Sequence, residues 1–217
     1  MILYSLSKLT HKLTVGISTF LIAMMSLSFS VNAVEQSPYK MLSTVGNQLF
    51  ERIASLPEPE RKKPEVMRKI IEEELMPYID YRYSAYKILG KYVKTATKAQ
   101  RNEFVKVMRD YLSMTYAQAL TKYKDQQVIF EPEKDVGNKR IVSIQTEIIE
   151  QGAPPIKIEF KLRKNRKTGQ WKAFDMVVEG ISLLSSKQSE ITRQIREQGL
   201  DAVIAQLAQK VAQPAQA

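Results

Sequence analysis

Residues 156–163 alternate strictly between apolar and charged side chains, and this pattern restricts the fold more than any other segment of the chain. Successive side chains of a β-strand point to opposite faces, so a period of two predicts a strand with one buried and one solvated face. Such one-sided burial is typical of an antiparallel sheet that is covered on one face. The buried face would carry Ile156, Ile158, Phe160 and Leu162.

Three further segments share this period, and helical periods flank the whole group. The additional strands are predicted at residues 128–131, 140–149 (Val142, Ile144 and Ile148 on one face) and 171–178 (Phe174, Met176 and Val178 on one face). Apolar residues at steps of three and four predict amphipathic helices at residues 38–53, 65–76, 80–90, 97–123, 183–198 and 201–211. This order of elements predicts an α+β fold, an antiparallel four-stranded curved sheet packed against helices.

Local signals mark the ends of these helices. Asp80 is a predicted N-cap, and Thr97 with Gln100 fits a capping box. Gly90 and Gly199 are expected to end helices, because glycine adopts the left-handed conformation without strain. The proline-rich residues 56–64 are predicted to be a linker.

The first 33 residues have the pattern of a secretory signal peptide. Lys8 and Lys12 precede an apolar run over residues 13–29, and Val31 and Ala33 are small side chains before an expected cleavage after Ala33. The run is short for a membrane anchor. Cleavage leaves a single domain at residues 34–211 and a frayed tail at residues 212–217, and the net charge falls from +10 to +8 as two lysines are lost.

The composition excludes most catalytic chemistry. The chain has no Cys, and its one His, His11, lies in the expected signal peptide. The usual general bases, thiolate nucleophiles and Ser-His-Asp triads are therefore absent after cleavage. Asp175 stands in an otherwise apolar strand and has two interpretations: a buried general base, or a carboxylate on the opposite face that fixes a neighbouring loop.

Two further features also have two interpretations each. The basic residues 163–167 form either an anion-facing patch or an ordinary solvated hairpin, and export argues against nucleic acid as the counterpart. Eight tyrosines between residues 78 and 123 belong either to an ordinary core or to the wall of a lipid cavity, where an apolar ring with a polar end is well suited.

Several short motifs, taken together in their order and spacing, resemble one known family. The chain is similar to the periplasmic phospholipid-binding shuttles of the maintenance-of-lipid-asymmetry (Mla) system, also called the toluene-tolerance family, from about residue 37 to residue 211. Lys187 departs from the arginine of many relatives and lacks its guanidinium fork. The motifs are ELMPY (74–78), LGKY (89–92), ATKAQR (96–101), YL (111–112), YAQAL (116–120), RKN (163–165), GQW (169–171), DMVVEGIS (175–182), KQ (187–188) and GLD (199–201).

The resemblance implies a non-enzymatic carrier in the periplasm of a Gram-negative bacterium. It implies a fold like that of nuclear transport factors, enclosing an apolar pocket for the acyl chains of a phospholipid cargo, with no other cofactor and no metal. The implied partners are phospholipid, an outer-membrane lipoprotein–porin complex, and an inner-membrane ABC transporter complex with its periplasmic substrate-binding subunit. A monomer that binds no nucleic acid is expected, serving outer-membrane lipid asymmetry.

The residues themselves suggest where such a pocket would lie. Each buried CH₂ is worth about 0.8 kcal/mol, so acyl chains need a deep apolar pocket to leave a membrane. We expect its walls to come from the apolar faces of the strands, from Ile181 and from the facing helices. The predicted lining is Tyr86, Leu89, Met108, Leu112, Tyr116, Val142, Ile144, Ile148, Ile156, Ile158, Phe160, Phe174, Met176, Val178 and Ile181.

Two other functions stay open from the residues alone. A periplasmic chaperone or adaptor would bind apolar protein segments at the same surface. An isomerase-like enzyme would use Asp175 with tyrosine donors. The direction of transport, the headgroup preference, the number of acyl chains and the docking residues are not encoded in any recognisable pattern.

Overall fold

The computed structural model describes residues 36–213, so the predicted signal peptide and the end of the tail lie outside the described residues. Five helices come first, then a sheet, then two helices. The first helices are α1 (Pro38–Ala54), α2 (Glu58–Arg61), α3 (Pro64–Ile70), α4 (Tyr81–Leu89) and α5 (Lys98–Leu120). The strands are β1 (Gln127–Phe130), β2 (Ile141–Ile149), β3 (Ile156–Lys164), β4 (Trp171–Val178) and β5 (Ile181–Ser182), followed by α6 (Leu183–Gln198) and α7 (Leu200–Ala212).

The helix ends follow the predicted local chemistry. The side chain of Asp80 accepts a hydrogen bond from the backbone N–H of Tyr83, and Thr97 and Gln100 form the complete capping box. Gly90 and Gly199 end α4 and α6 with φ of 55° and 84°. The structure confirms these predictions. They could be made from the sequence because each depends on only a few neighbouring residues.

Three boundaries differ from the sequence prediction. The linker predicted at residues 56–64 contains the short helix α2, whose first turn includes Pro59, a position to which proline is well suited. The helix predicted over residues 65–76 is regular only to Ile70 and continues as a π-helical turn, Ile71–Leu75, and a 3₁₀ turn, Met76–Tyr78. The tail predicted to fray from residue 212 is still helical at Ala212.

Ion pairs hold the π-helical turn against two other helices. Arg52 of α1 binds the carboxylates of Glu73 and Glu74, and Arg109 of α5 binds that of Glu72. A regular α-helix would spread three consecutive glutamates over about 200° of its circumference. In the wider π-helical turn all three glutamates reach one of the two arginines. This segment therefore links α1 and α5 through charges.

The sheet is an antiparallel meander of five strands in the order β1-β2-β3-β4-β5, one more than predicted. The additional strand, β5, has two residues and follows a tight turn at Glu179 and Gly180, whose φ values are 48° and 82°. A strand of two residues shows no measurable periodicity, so the sequence pattern does not reveal it.

Strand register places the predicted apolar residues of β2, β3 and β4, except Phe174, on one face, called the inner face below. Four rows run across this face: the first is Val142, Leu162 and Ala173, the second is Ile144, Phe160 and Met176, the third is Phe130, Thr146, Ile158, Val178 and Ile181, and the fourth is Val128, Ile148 and Ile156. Phe174 belongs to none of these rows. A β-bulge between the pairs Lys161–Asp175 and Leu162–Ala173 leaves it without a partner in β3.

Buried apolar side chains form two clusters in the described residues. The sheet cluster joins α1, α3 and the π-helical turn to the inner face and includes Met41, Ile53, Ile144, Leu162 and Trp171. The helical cluster joins α4, the first half of α5, α6 and α7 around Phe104 and contains no strand residue. In residues 36–213 no helix is both long enough and apolar enough to cross a membrane.

Candidate functional site

The inner face is well packed at one end and open at the other. In the first row, Val142 is 8% exposed, Leu162 0% and Ala173 8%. In the second row, Ile144 is buried, but Phe160 and Met176 are half-buried. In the fourth row, Ile148 is half-buried and Ile156 is 40% exposed. The helices therefore cover the first row and leave some side chains of the later rows partly exposed.

The solvent exposure of the side chains also rises across the third row, from β2 to β5. Thr146 in β2 is buried, Ile158 in β3 and Val178 in β4 are half-buried, and Ile181 in β5 is 62% exposed. Leu183, two residues after Ile181, is 42% exposed. Ile156, Ile181 and Leu183 are exposed apolar residues at and beside the open end of the sheet and are called the rim below. Exposed apolar surface can mark an interaction site when it is contiguous.

The helices contribute the predicted lining residues unequally. Leu89 and Met108 are fully buried within the helical cluster and so are not brought to the inner face. Tyr86 is half-buried and packs against that same cluster. Leu112 is half-buried, and Tyr116 packs against the sheet cluster. Among the predicted helical residues, Tyr116 is thus the one that packs against the sheet cluster. The predicted strand residue Phe174 packs edge-on against Tyr83 of α4.

Tyr116 combines strong desolvation with residual exposure. Burial, and then the nearby carboxylate of Asp175, raises the pKa of Tyr116 to about 12. The side chain is nevertheless only half-buried by accessible surface. A phenol that protein atoms surround and that remains partly accessible is expected beside a gap in the packing, because protein interiors are otherwise close-packed.

This raised pKa predicts an alkaline loss of stability. The folded protein keeps the Tyr116 proton up to about pH 12, whereas the unfolded chain releases it near pH 10. The contribution of the protonated Tyr116 to the free energy of unfolding is therefore complete below pH 10 and is lost as the pH rises from 10 to 12. We expect the difference in unfolding free energy between the wild type and Tyr116→Phe to fall by about 1–2 kcal/mol over this interval. Urea unfolding at both ends of the interval measures it, and a constant difference would contradict the assignment.

One polar residue of the inner face, Thr146, is not among the residues predicted from the sequence. Thr146 lies in the third row, is 3% exposed, and its hydroxyl has no hydrogen-bond partner among the described residues. Ser113 of α5 has the same property and is 0% exposed. Buried hydroxyls are nearly always paired, so each one without a partner requires an explanation. The sequence did contain a signal for this residue, because Thr146 takes the place of an apolar residue in the alternating pattern between Ile144 and Ile148.

Asp175 fixes the beginning of α6. Its side chain is 4% exposed and forms an ion pair with Lys161 over 3.6 Å. It accepts hydrogen bonds from the Ser182 hydroxyl at 2.8 Å and from the backbone N–H of Leu184 at 3.1 Å. The carboxylate thus occupies the N-terminus of a helix, where negative charge is stabilised. Of the two interpretations, the structural one agrees with these contacts.

The basic residues of the β3–β4 hairpin divide into two groups. Arg163 binds the carboxylate of Asp80, and its guanidinium lies 4.2 Å from the ring centroid of Tyr83. Arg166 and Lys167 are exposed. Arg163 therefore connects the sheet to α4, and the exposed positive charge is at the hairpin tip.

Lys187 is engaged in contacts within the protein. Its ammonium group donates to the Tyr111 hydroxyl at 2.9 Å and to Glu190 at 2.6 Å. Burial by itself lowers the pKa of Lys187, but the hydrogen bonds and charges of Glu190 and Tyr111 together outweigh it, so the pKa is raised. The side chain therefore joins α6 to α5.

Two surface clefts in the described part of the chain do not match the expected apolar pocket. One of about 320 Å³ is lined by Tyr39, Asp135, Val136, Lys139, Ile141, Val142 and Ser143. Another of about 440 Å³ is lined by Gly90, Lys91, Gln188, Ser189, Thr192 and Arg196. Only Val142 belongs to the predicted lining. Residues 36–213 also contain no group of three or more His, Cys, Asp or Glu side chains that could hold a metal ion.

The described fold is an α+β domain whose open antiparallel sheet is packed against helices and has a partly uncovered apolar face. It is similar to a solved phospholipid-binding protein from Ralstonia solanacearum in complex with a phospholipid, with a TM-score of 0.73 and 18% identity over 83% of this chain and 100% of that one.

The sequence comparisons define the family. The intermembrane phospholipid transport system binding protein MlaC of Haemophilus influenzae is 33% identical over 213 residues, which cover 98% of this chain and 97% of that protein. The family model described as MlaC protein matches residues 43–209. The chain belongs to the MlaC family.

Proposed function

We propose that this protein is a periplasmic phospholipid carrier that holds acyl chains against the inner face of its sheet. The observation that carries the proposal is the gradient of exposure along this face, from Leu162 at 0% to Ile156 at 40%. A face of this kind gives an acyl chain a continuous apolar path from the rim toward the packed core. The names of the relatives, which specify phospholipid binding and intermembrane phospholipid transport, support the same function.

The binding site in this proposal is a pocket that opens between the inner face and the helices. Its lining includes the half-buried residues of the second to fourth rows, together with Tyr116 and Leu112. Val142 and Ile144 are buried side chains of the same face that support this lining, whereas Leu89 and Met108 lie in the helical cluster. The cargo enters as the helices separate from the sheet, and the fold then resembles the cone of nuclear-transport-factor-like domains around an apolar interior.

Energetics favour sequestration of the chains and exposure of the headgroup. At about 0.8 kcal/mol for each buried CH₂, most of the binding free energy comes from the acyl chains. A charged headgroup costs several kcal/mol to bury without partners and so stays at the rim. Transfer then depends on docking and on opening of the pocket, and no covalent bond is made or broken.

We propose the cellular setting on the basis of the predicted signal peptide and the family. The signal peptide is cleaved after Ala33, and the carrier exchanges lipid with an outer-membrane lipoprotein–porin complex and with the periplasmic substrate-binding subunit of an inner-membrane ABC transporter complex. This exchange maintains the lipid asymmetry of the outer membrane and contributes to toluene tolerance. The carrier acts as a monomer, with no cofactor beyond its lipid cargo.

Native mass spectrometry of the purified protein tests the proposal. We expect the folded protein to carry mass that solvent extraction releases as phospholipid, and expect delipidated protein to regain it from vesicles. A protein that stays lipid-free after incubation with vesicles would exclude the carrier function. Bound peptides instead of lipid would favour the chaperone interpretation.

A further inference from the structure

We propose that the Thr146 hydroxyl donates a hydrogen bond to an acyl-ester carbonyl of the bound lipid. This inference rests on the proposed function and assigns one chemical group of the cargo to one side chain. Thr146 gives the site a preference for ester-linked over ether-linked chains, because an ether-linked chain has no carbonyl oxygen to accept the hydrogen bond at this position.

The surroundings of Thr146 give its hydroxyl no partner within the described residues. On the inner face it lies between Ile144 and Ile148 of its own strand, and its lateral neighbours are Phe130 of β1 and Ile158 of β3. All four side chains are apolar. With the residue 3% exposed, bulk water does not reach this oxygen, and a buried hydroxyl is expected to have a partner. A ligand with a carbonyl group satisfies it.

The depth of Thr146 agrees with an ester carbonyl. It lies one row inside Ile148 and Ile156, and two residues along a strand span about 7 Å. A lipid whose headgroup is at the rim places its glycerol near the fourth row and its ester carbonyls just below. The first and second rows then lie deeper, where only hydrocarbon is expected, and their residues are entirely apolar.

Ser113 differs from Thr146 although its hydroxyl is also buried without a partner among the described residues. Ser113 lies within α5, and a helical serine can turn its hydroxyl toward the carbonyl oxygen one turn earlier, here that of Arg109. Thr146 lies in the middle of β2, where the carbonyl groups are engaged in strand pairing. Thr146 therefore depends on a ligand, whereas Ser113 does not.

A competition between two lipids tests the inference. Delipidated protein is incubated with equal amounts of dipalmitoyl phosphatidylglycerol and its dihexadecyl ether analogue, and native mass spectrometry gives the ratio of the two complexes. We expect the wild type to favour the ester by about five-fold, as for one neutral hydrogen bond. Thr146→Val, which keeps the shape and removes the hydroxyl, should lower this ratio to about one, and Thr146→Ser should restore most of it.

Ser113→Ala is the matched control, since it removes the other buried hydroxyl described above. Its ester-to-ether ratio should equal that of the wild type. An unchanged ratio in Thr146→Val, or an equal drop in Ser113→Ala, would overturn the assignment to Thr146. If neither lipid binds the wild type, the proposed carrier function itself fails, so the two failures are distinguishable.

Discussion

Ile158→Glu is expected to yield a folded protein that does not retain phospholipid. Ile158 is half-buried in the third row, so glutamate at this position places a carboxylate where the acyl chains would lie. An ionised carboxylate in hydrocarbon costs on the order of 3 kcal/mol or more, which corresponds to at least about a 100-fold loss of affinity. Native mass spectrometry after purification measures the retained lipid. Ile181→Glu at the rim should weaken retention in the same direction.

Ile129→Glu provides the matched control for this prediction. Ile129 lies in β1, is 45% exposed and pairs with Glu147, so it belongs to the opposite face of the sheet. The same substitution there changes the charge equally and should leave lipid retention unchanged. Equal retention in Ile158→Glu and Ile129→Glu would show that the inner face is not the lipid site.

Asp175→Ala is expected to reduce the unfolding free energy by about 2–4 kcal/mol. The substitution leaves the Leu184 N–H and the Ser182 hydroxyl at the start of α6 without their acceptor, and Lys161 without its ion pair. Urea unfolding of the purified variant measures the loss. Asp175→Asn keeps one oxygen acceptor and should cost roughly half as much.

Glu103→Ala serves as the control for Asp175→Ala, because Glu103 is an exposed carboxylate on α5. Its removal should change stability by less than about 0.5 kcal/mol. A variant Asp175→Ala with unchanged stability and lost function would instead support the isomerase-like interpretation. Unchanged lipid binding in the destabilised protein would support a structural role.

Much of the fold could be predicted from the sequence because its signals are local. The capping box at Thr97 depends on two side chains within one helical turn, and the alternation of residues 156–163 indicates which side chains share a face. The register of β2 and β3 then aligned the predicted apolar residues as expected. The class of ligand, a phospholipid, was predicted from the resemblance to a family and could not be predicted from any single residue.

The features that escaped prediction depend on tertiary contacts. The bulge at Phe174 breaks the apparent alternation of β4, so a residue predicted on the inner face packs against Tyr83 instead. The wide turn at Ile71–Leu75 depends on arginines from two other helices. The burial of Leu89 and Met108 in a cluster without strands depends on how α4 to α7 pack, which periodicity does not determine.

The short strands at the two edges of the sheet have a consequence for aggregation. β1 has four residues and β5 has two, whereas the inner strands β2 and β3 have nine each. Unpaired backbone groups at a long edge would recruit the strands of other molecules and lead to aggregation. Brief edges offer such a strand little to pair with. The short edge strands therefore lower the tendency of a chain with exposed apolar residues to aggregate through its sheet.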